Sequence, residues 1–79
     1  MLNDVLQLIA NVINEPVEEL DAESGPDTLA SWDSLAHVSL IAAVEQTYRI
    51  KLTMQEMLAI KTVADLLQVL KKHGAQGAD

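Results

Sequence analysis

The stretch "WDSLAHVSLIAAVEQTY", Trp32–Tyr48, decides the fold. Eight of the ten residues from Leu35 to Val44 are apolar, and Leu40, Ile41, Val44 and Tyr48 recur at helical spacing. Leu35, Val38 and Ala42 form a second stripe, displaced around the same wheel. One amphipathic face does not need both. The spacing therefore predicts a helix over 34–48 that is buried against the core on one side. It also carries an apolar strip that so small a domain cannot fully cover. Asp33 is placed to cap it, Ser34 falls in its first turn, and Trp32 precedes it as packing onto the helix.

Outward from this helix, Leu2, Val5, Leu6, Ile9, Val12 and Ile13 give a first helix, with Asn3 as its expected N-cap and Asp4 at the positive end of its dipole. Asn14 can end it and Pro16 forbids its continuation. "PVEELD" reads as a short helical turn with Pro16 in first position. "DAESGPDTLAS" reads as a loop around Gly25-Pro26. After the central helix, "YRIKL" alternates and is expected as a short extended piece. Thr53 and Glu56 have capping-box spacing and open a short third helix. Thr62 caps a last one, with Asp65 at its third position, Lys71 and Lys72 near its end and Gly74 as its stop. The fold expected is all-α, a small antiparallel four-helix bundle of three main helices and a short one. Residues 1–74 form the single domain and 75–79 a frayed tail.

Composition narrows the function. Among 79 residues there is no cysteine, hence no disulfide and no cysteine-based zinc site. No apolar run reaches the about 20 residues of a membrane helix, so a soluble, cytoplasmic monomer is expected. Residues 1–48 hold nine of the 12 acids and none of the five bases. So acidic a chain repels nucleic acid and steers toward basic partner surfaces. His37 and His73 are far apart and no acid cluster has metal spacing, so no metal site is read. His37 is taken as a partly buried or surface bystander. With three glycines there is no phosphate loop. Ser24, Ser31, Ser34 and Ser39 lack a supporting triad. The chain does not read as an enzyme.

What remains is Asp33-Ser34-Leu35 at a helix start. By pattern alone Asp33 and Ser34 read as capping residues, yet a phosphate esterified to Ser34 would sit in the field of a helix N-terminus. At these residues the sequence resembles the acyl carrier proteins, whose Asp-Ser-Leu motif carries a phosphopantetheine arm on the serine. The resemblance covers nearly the whole chain, through "PVEELD", the long loop, "YRIKLT" and "IKTVADLLQVL". It implies 4′-phosphopantetheine on Ser34, with Ser34 the nucleophile in its own modification by a transferase that uses coenzyme A. It implies that Asp33 assists through the transferase's magnesium ion. Leu35, Val38, Ala42 and Glu45 match the family's partner-contact positions. The arm supplies the thiol the chain lacks, so the cofactor carries the chemistry and the protein gives address and shelter.

The chain departs from the family pattern in places. Ser31 stands where a glycine is frequent, and Ser39, Gln46 and Thr47 stand at positions that are often acidic. Fewer rim charges alter partner choice. This favours a stand-alone carrier of a specialised pathway, such as polyketide, modified-lipid or cell-surface glycan assembly, over the general fatty-acid carrier. Ala42, Ala43 and Ala59 with Met54 and Met57 are consistent with opening between the second and third helices to shelter a chain, and equally with ordinary core. Two other readings stay open: an aminoacyl or peptidyl carrier with the same arm, and an unmodified helical interaction module docking through the second helix.

Overall fold

The computed structural model describes residues 2–74; the expected tail at 75–79 lies outside them. It is an all-α bundle: α1 (Leu2–Ile13), a 3-10 turn (Val17–Glu19), α2 (Ser34–Tyr48), α3 (Met54–Ala59) and α4 (Val63–Lys72). Val5 and Ile9 of α1, Leu40 and Val44 of α2, and Val63, Leu66 and Leu70 of α4 are fully buried together. Trp32, Leu20, Leu52 and Ile60 join them from the connections. The radius of gyration, 11.2 Å, is close to the roughly 12 Å of a compact single domain of this length. No helix among the described residues is long and apolar enough to cross a membrane.

Several local expectations shift. α1 already includes Leu2, so Asn3 lies inside its first turn instead of capping it. Asn14 ends α1 in the left-handed region (φ 61°), which asparagine tolerates best after glycine. Pro16 caps the 3-10 turn and Val17 is its first residue. "YRIKL" is not a strand: Tyr48 closes α2, and Arg49 turns the chain at φ 57°. Burial still alternates there, with Ile50 half-buried, Lys51 exposed and Leu52 buried.

The loop before α2 is built into the fold. Its carbonyls satisfy the first amides of α4: Val63 N–H donates to Ser24 O at 2.9 Å and Ala64 N–H to Ala22 O at 2.9 Å. Asp65 N–H donates to Thr62 Oγ1 at 3.2 Å, so the N-terminus of α4 has its donors met. This close approach needs Gly25, where an added Cβ would stand 2.0 Å from Lys61 O. The obstacle is backbone on both sides and cannot rotate away. Gly25→Ala is expected to destabilise the protein by about 1–3 kcal/mol, the range for overpacking. In urea this reads as a lower midpoint at unchanged slope; a wild-type midpoint would refute the tight contact.

α3 has no fully buried residue and is held by polar groups at both ends. Thr53 Oγ1 accepts from Glu56 N–H at 3.0 Å, and Glu56 Oε1 accepts from Thr53 N–H at 2.9 Å. The same carboxylate meets His73 Nε2 at 3.0 Å and Lys72 Nζ at 3.2 Å, tying α3 to the end of α4. The Thr53 N–H first, then His73 and Lys72, hold the Glu56 carboxyl at about 2, down from an ordinary 4.5, against the opposing effect of burial. The folded value is the lower one, so the unfolded chain takes up this proton first as pH falls. The contribution is complete above pH 4.5 and is lost between there and about 2. The thermal midpoint of Glu56→Gln should therefore converge on that of the wild type across this window; parallel curves would show that Glu56 gives no such linkage.

Candidate functional site

Asp33 and Ser34 sit where the pattern of α2 puts them. Asp33 is the N-cap, its Oδ1 accepting from Ala36 N–H at 2.8 Å while its carbonyl accepts from His37 N–H at 2.8 Å. Ser34 is the first helical residue and is exposed. Among the described residues no protein acceptor meets the N–H groups of Ser34 and Leu35. They leave a small electropositive end on a 15-residue helix beside the Ser34 hydroxyl.

The other serines are placed differently. Ser24 is buried, and its hydroxyl accepts from Asp21 N–H at 3.0 Å. Ser31 is half-buried and donates to Glu15 Oε2 at 2.6 Å, fastening the loop to the end of α1. Ser39 is exposed, but it lies in the second turn of α2. Only Ser34 combines an exposed hydroxyl with a helix start.

The two stripes of α2 separate cleanly. Leu40, Ile41 and Val44 are buried, whereas Leu35 is 77% and Val38 65% exposed. Ala42 is exposed on the same strip. Glu45 continues the strip but is half-buried, and its Oε2 accepts from Leu52 N–H at 2.8 Å. It thus anchors the chain entering α3 with one oxygen. Leu58 and Met54 of α3, each 68% exposed, add further apolar surface.

Beside Ser34 opens a cleft of about 510 Å³ between α2, α3 and the loop. Asp33, Ser34 and Val38 line it from the start of α2, Met57, Leu58 and Ile60 from α3 and its end, and Pro26, Asp27 and Lys61 from the connections. Trp32 and His37 also line it. Here the structure corrects the reading of His37 as a bystander. Trp32 Nε1–H donates to His37 Nδ1 at 2.9 Å, which puts the imidazole proton on Nε2. Nε2 in turn lies 2.9 Å from Met57 O, the acceptor it then donates to. A fully buried indole, a histidine of α2 and a carbonyl of α3 are thereby joined. Among the described residues no group of acids and histidines could hold a metal ion.

The family model for the phosphopantetheine attachment site matches residues 3–70. The chain is similar to Acyl carrier protein 3 of Ralstonia nicotianae, 29% identical over 82 positions, covering 99% of this chain and 94% of the relative. Its fold is similar to the solution structure of a holo acyl carrier protein from Geobacter metallireducens, with a TM-score of 0.80 and 30% identity. That likeness covers 90% of this chain and 82% of the other.

Proposed function

The chain belongs to the acyl carrier protein family of phosphopantetheine-binding carriers, and on that premise we propose that Ser34 bears the arm and that the protein presents acyl thioesters to partner enzymes. Members of the family are carriers and not catalysts. The observation that carries the assignment is the exposed Ser34 at the first position of α2, opening onto the cleft. The residues fit the group. The free amides of Ser34 and Leu35 and the positive end of α2 would stabilise a phosphodiester on Ser34 Oγ. Asp33 keeps the helix start in shape with one oxygen and, being exposed, turns its remaining acceptor capacity to the transferase's magnesium ion. When bound, the arm supplies the terminal thiol on which acyl groups are held.

In the modification itself, the Ser34 oxygen forms a bond to the phosphorus that bears the pantetheine of coenzyme A. The pyrophosphate bond breaks, the adenosine bisphosphate leaves, and the hydroxyl proton passes to solvent or the transferase. Leu35, Val38 and Ala42 form the apolar contact for partner enzymes, with Glu45 as its acidic flank. Glu45 is the single charged carboxylate along α2 after the motif, and it already serves Leu52. A docking helix with so little charge selects partners by apolar shape more than by basic steering. That supports a specialised pathway, fatty-acid-like, polyketide or other, over the general fatty-acid carrier.

Incubation with coenzyme A, magnesium and a broad-specificity phosphopantetheinyl transferase tests the proposal. Intact mass should rise by one phosphopantetheinyl group, and an unchanged mass would overturn it. Loading of the product by acyl donors, against loading by amino-acid activating enzymes, separates an acyl carrier from a peptidyl one.

A further inference from the structure

With the arm on Ser34, one part of it has a fixed place. The phosphorus is bonded to Ser34 Oγ, wherever the rest of the arm goes, and its phosphodiester is an anion at neutral pH. The surroundings are already negative: Asp33 and Asp27 are exposed and line the same cleft as Ser34. Lys61 is the only lysine or arginine that lines it. Arg49 and Lys51 follow the far end of α2, and Lys71 and Lys72 close α4. We infer that Lys61 is the cationic contact for the phosphate of the arm and holds the root of the arm to the cleft side of the helix start. The inference rests on Ser34 bearing the arm.

Three observations carry it. The backbone of Lys61 is pinned beside the cleft. Its N–H donates to Asp65 Oδ2 at 2.9 Å, and its carbonyl is packed against Gly25, where an added Cβ would stand 2.0 Å away. The stem therefore starts from a fixed point. Second, the ammonium is uncommitted. Lys61 is exposed, and among the described residues no carboxylate lies within ion-pair distance of it, whereas Lys72 is paired with Glu56 at 3.2 Å. A point charge with rotatable donors on a flexible stem suits a phosphodiester free to turn about its ester bond. Third, the alternative is spent. His37, the other basic side chain lining the cleft, has Nδ1 taken by Trp32 Nε1–H and Nε2 by Met57 O. The amides of Ser34 and Leu35 offer partial charges only, so Lys61 supplies the one full positive charge.

The test compares the whole chain before and after treatment with coenzyme A, magnesium and a transferase, attachment being checked by mass. Each form is labelled with limiting acetic anhydride, and acetylation of Lys61 is read against Lys51 by peptide mass. Attachment of the arm should slow Lys61 by roughly 1.4- to 5-fold, the range of an exposed ion pair, and leave the ratio of Lys71 to Lys51 unchanged. At 1 M salt, where the screening length is about 3 Å, the difference should largely disappear. The second readout is the phosphorus resonance of the arm, which should move in Lys61→Gln, return in Lys61→Arg and stay in place in Lys51→Gln. Equal acetylation of Lys61 in both forms, slowing that survives 1 M salt, or a phosphorus resonance unmoved in Lys61→Gln each overturns the inference. The acetylation series uses the unaltered chain and decides whatever the variants do. No mass gain overturns the assignment of the arm, and the inference with it; mass gain with an indifferent Lys61 overturns the inference alone.

Discussion

Ser34→Ala should abolish phosphopantetheinylation completely while leaving the bundle as stable as before. The stability half follows from the cap. Asp33, not Ser34, receives Ala36 N–H, and the Ser34 hydroxyl has no partner among the described residues. Alanine is also the better helix former. The change in unfolding free energy should stay within about 0.5 kcal/mol, as for surface positions free of special contacts. The chemical half follows from the lack of a substitute. Ser24 and Ser31 are tied to Asp21 and Glu15, and Ser39 is exposed but one turn up the helix, away from its free amides. Intact mass after treatment with coenzyme A and transferase reads the first outcome, and a urea melt the second. A mass gain that survives the substitution would move the arm to another residue. A variant that stays unmodified yet supports partner function in full would favour the unmodified interaction module.

How much of this was legible from sequence depends on what kind of group does the work. Side-chain patterns transfer well. The start of α2 at Asp33-Ser34, the Thr53–Glu56 box and the split between Leu40, Ile41, Val44 and Leu35, Val38 all follow from spacing, because each depends on side chains a few residues apart. Backbone partners are silent. Nothing in the letters shows that Met57 O awaits His37, that Lys61 O crowds Gly25, or that Ser24 O and Ala22 O receive α4. A carbonyl looks the same at every residue, and these pairs are 20 or more positions apart. The end of α2 at Tyr48 follows from the spacing, but the left-handed turn after it was hidden for a related reason. Arg49 carries no glycine signal, and the turn is set by Glu45, whose carbonyl accepts from Ile50 N–H and whose carboxylate accepts from Leu52 N–H. Reading Glu45 as a partner contact was open from sequence, but its service to Leu52 was not. His37 is the sharpest case: alone on the wheel it looks incidental, and its role exists only once Trp32 and α3 close around it.

Trp32→Ala should be among the most destabilising single substitutions in the protein. Three losses add. The indole is fully buried against the core, so its removal forfeits transfer free energy. The surrounding Val, Leu and Ile side chains belong to helices pinned by their own contacts, so the space closes only in part and a cavity remains. His37 Nδ1 loses its donor, although the adjoining cleft lets water replace it. Large aromatic-to-alanine changes in cores cost about 3–5 kcal/mol. A chain of 79 residues has roughly 4–12 kcal/mol in total, so the variant loses a large share of its stability and its urea midpoint should fall steeply. Trp32→Phe separates the terms. It keeps most of the volume and removes the N–H, so its expected cost is about 1–2 kcal/mol. Combined with His37→Ala it should be less than additive by about 1 kcal/mol if the bond couples the two residues. Urea unfolding of the single and double variants reads this directly. A cost for Trp32→Ala below that of Trp32→Phe would place the indole outside the core, and full additivity would remove the coupling between Trp32 and His37 of α2 that their hydrogen bond implies.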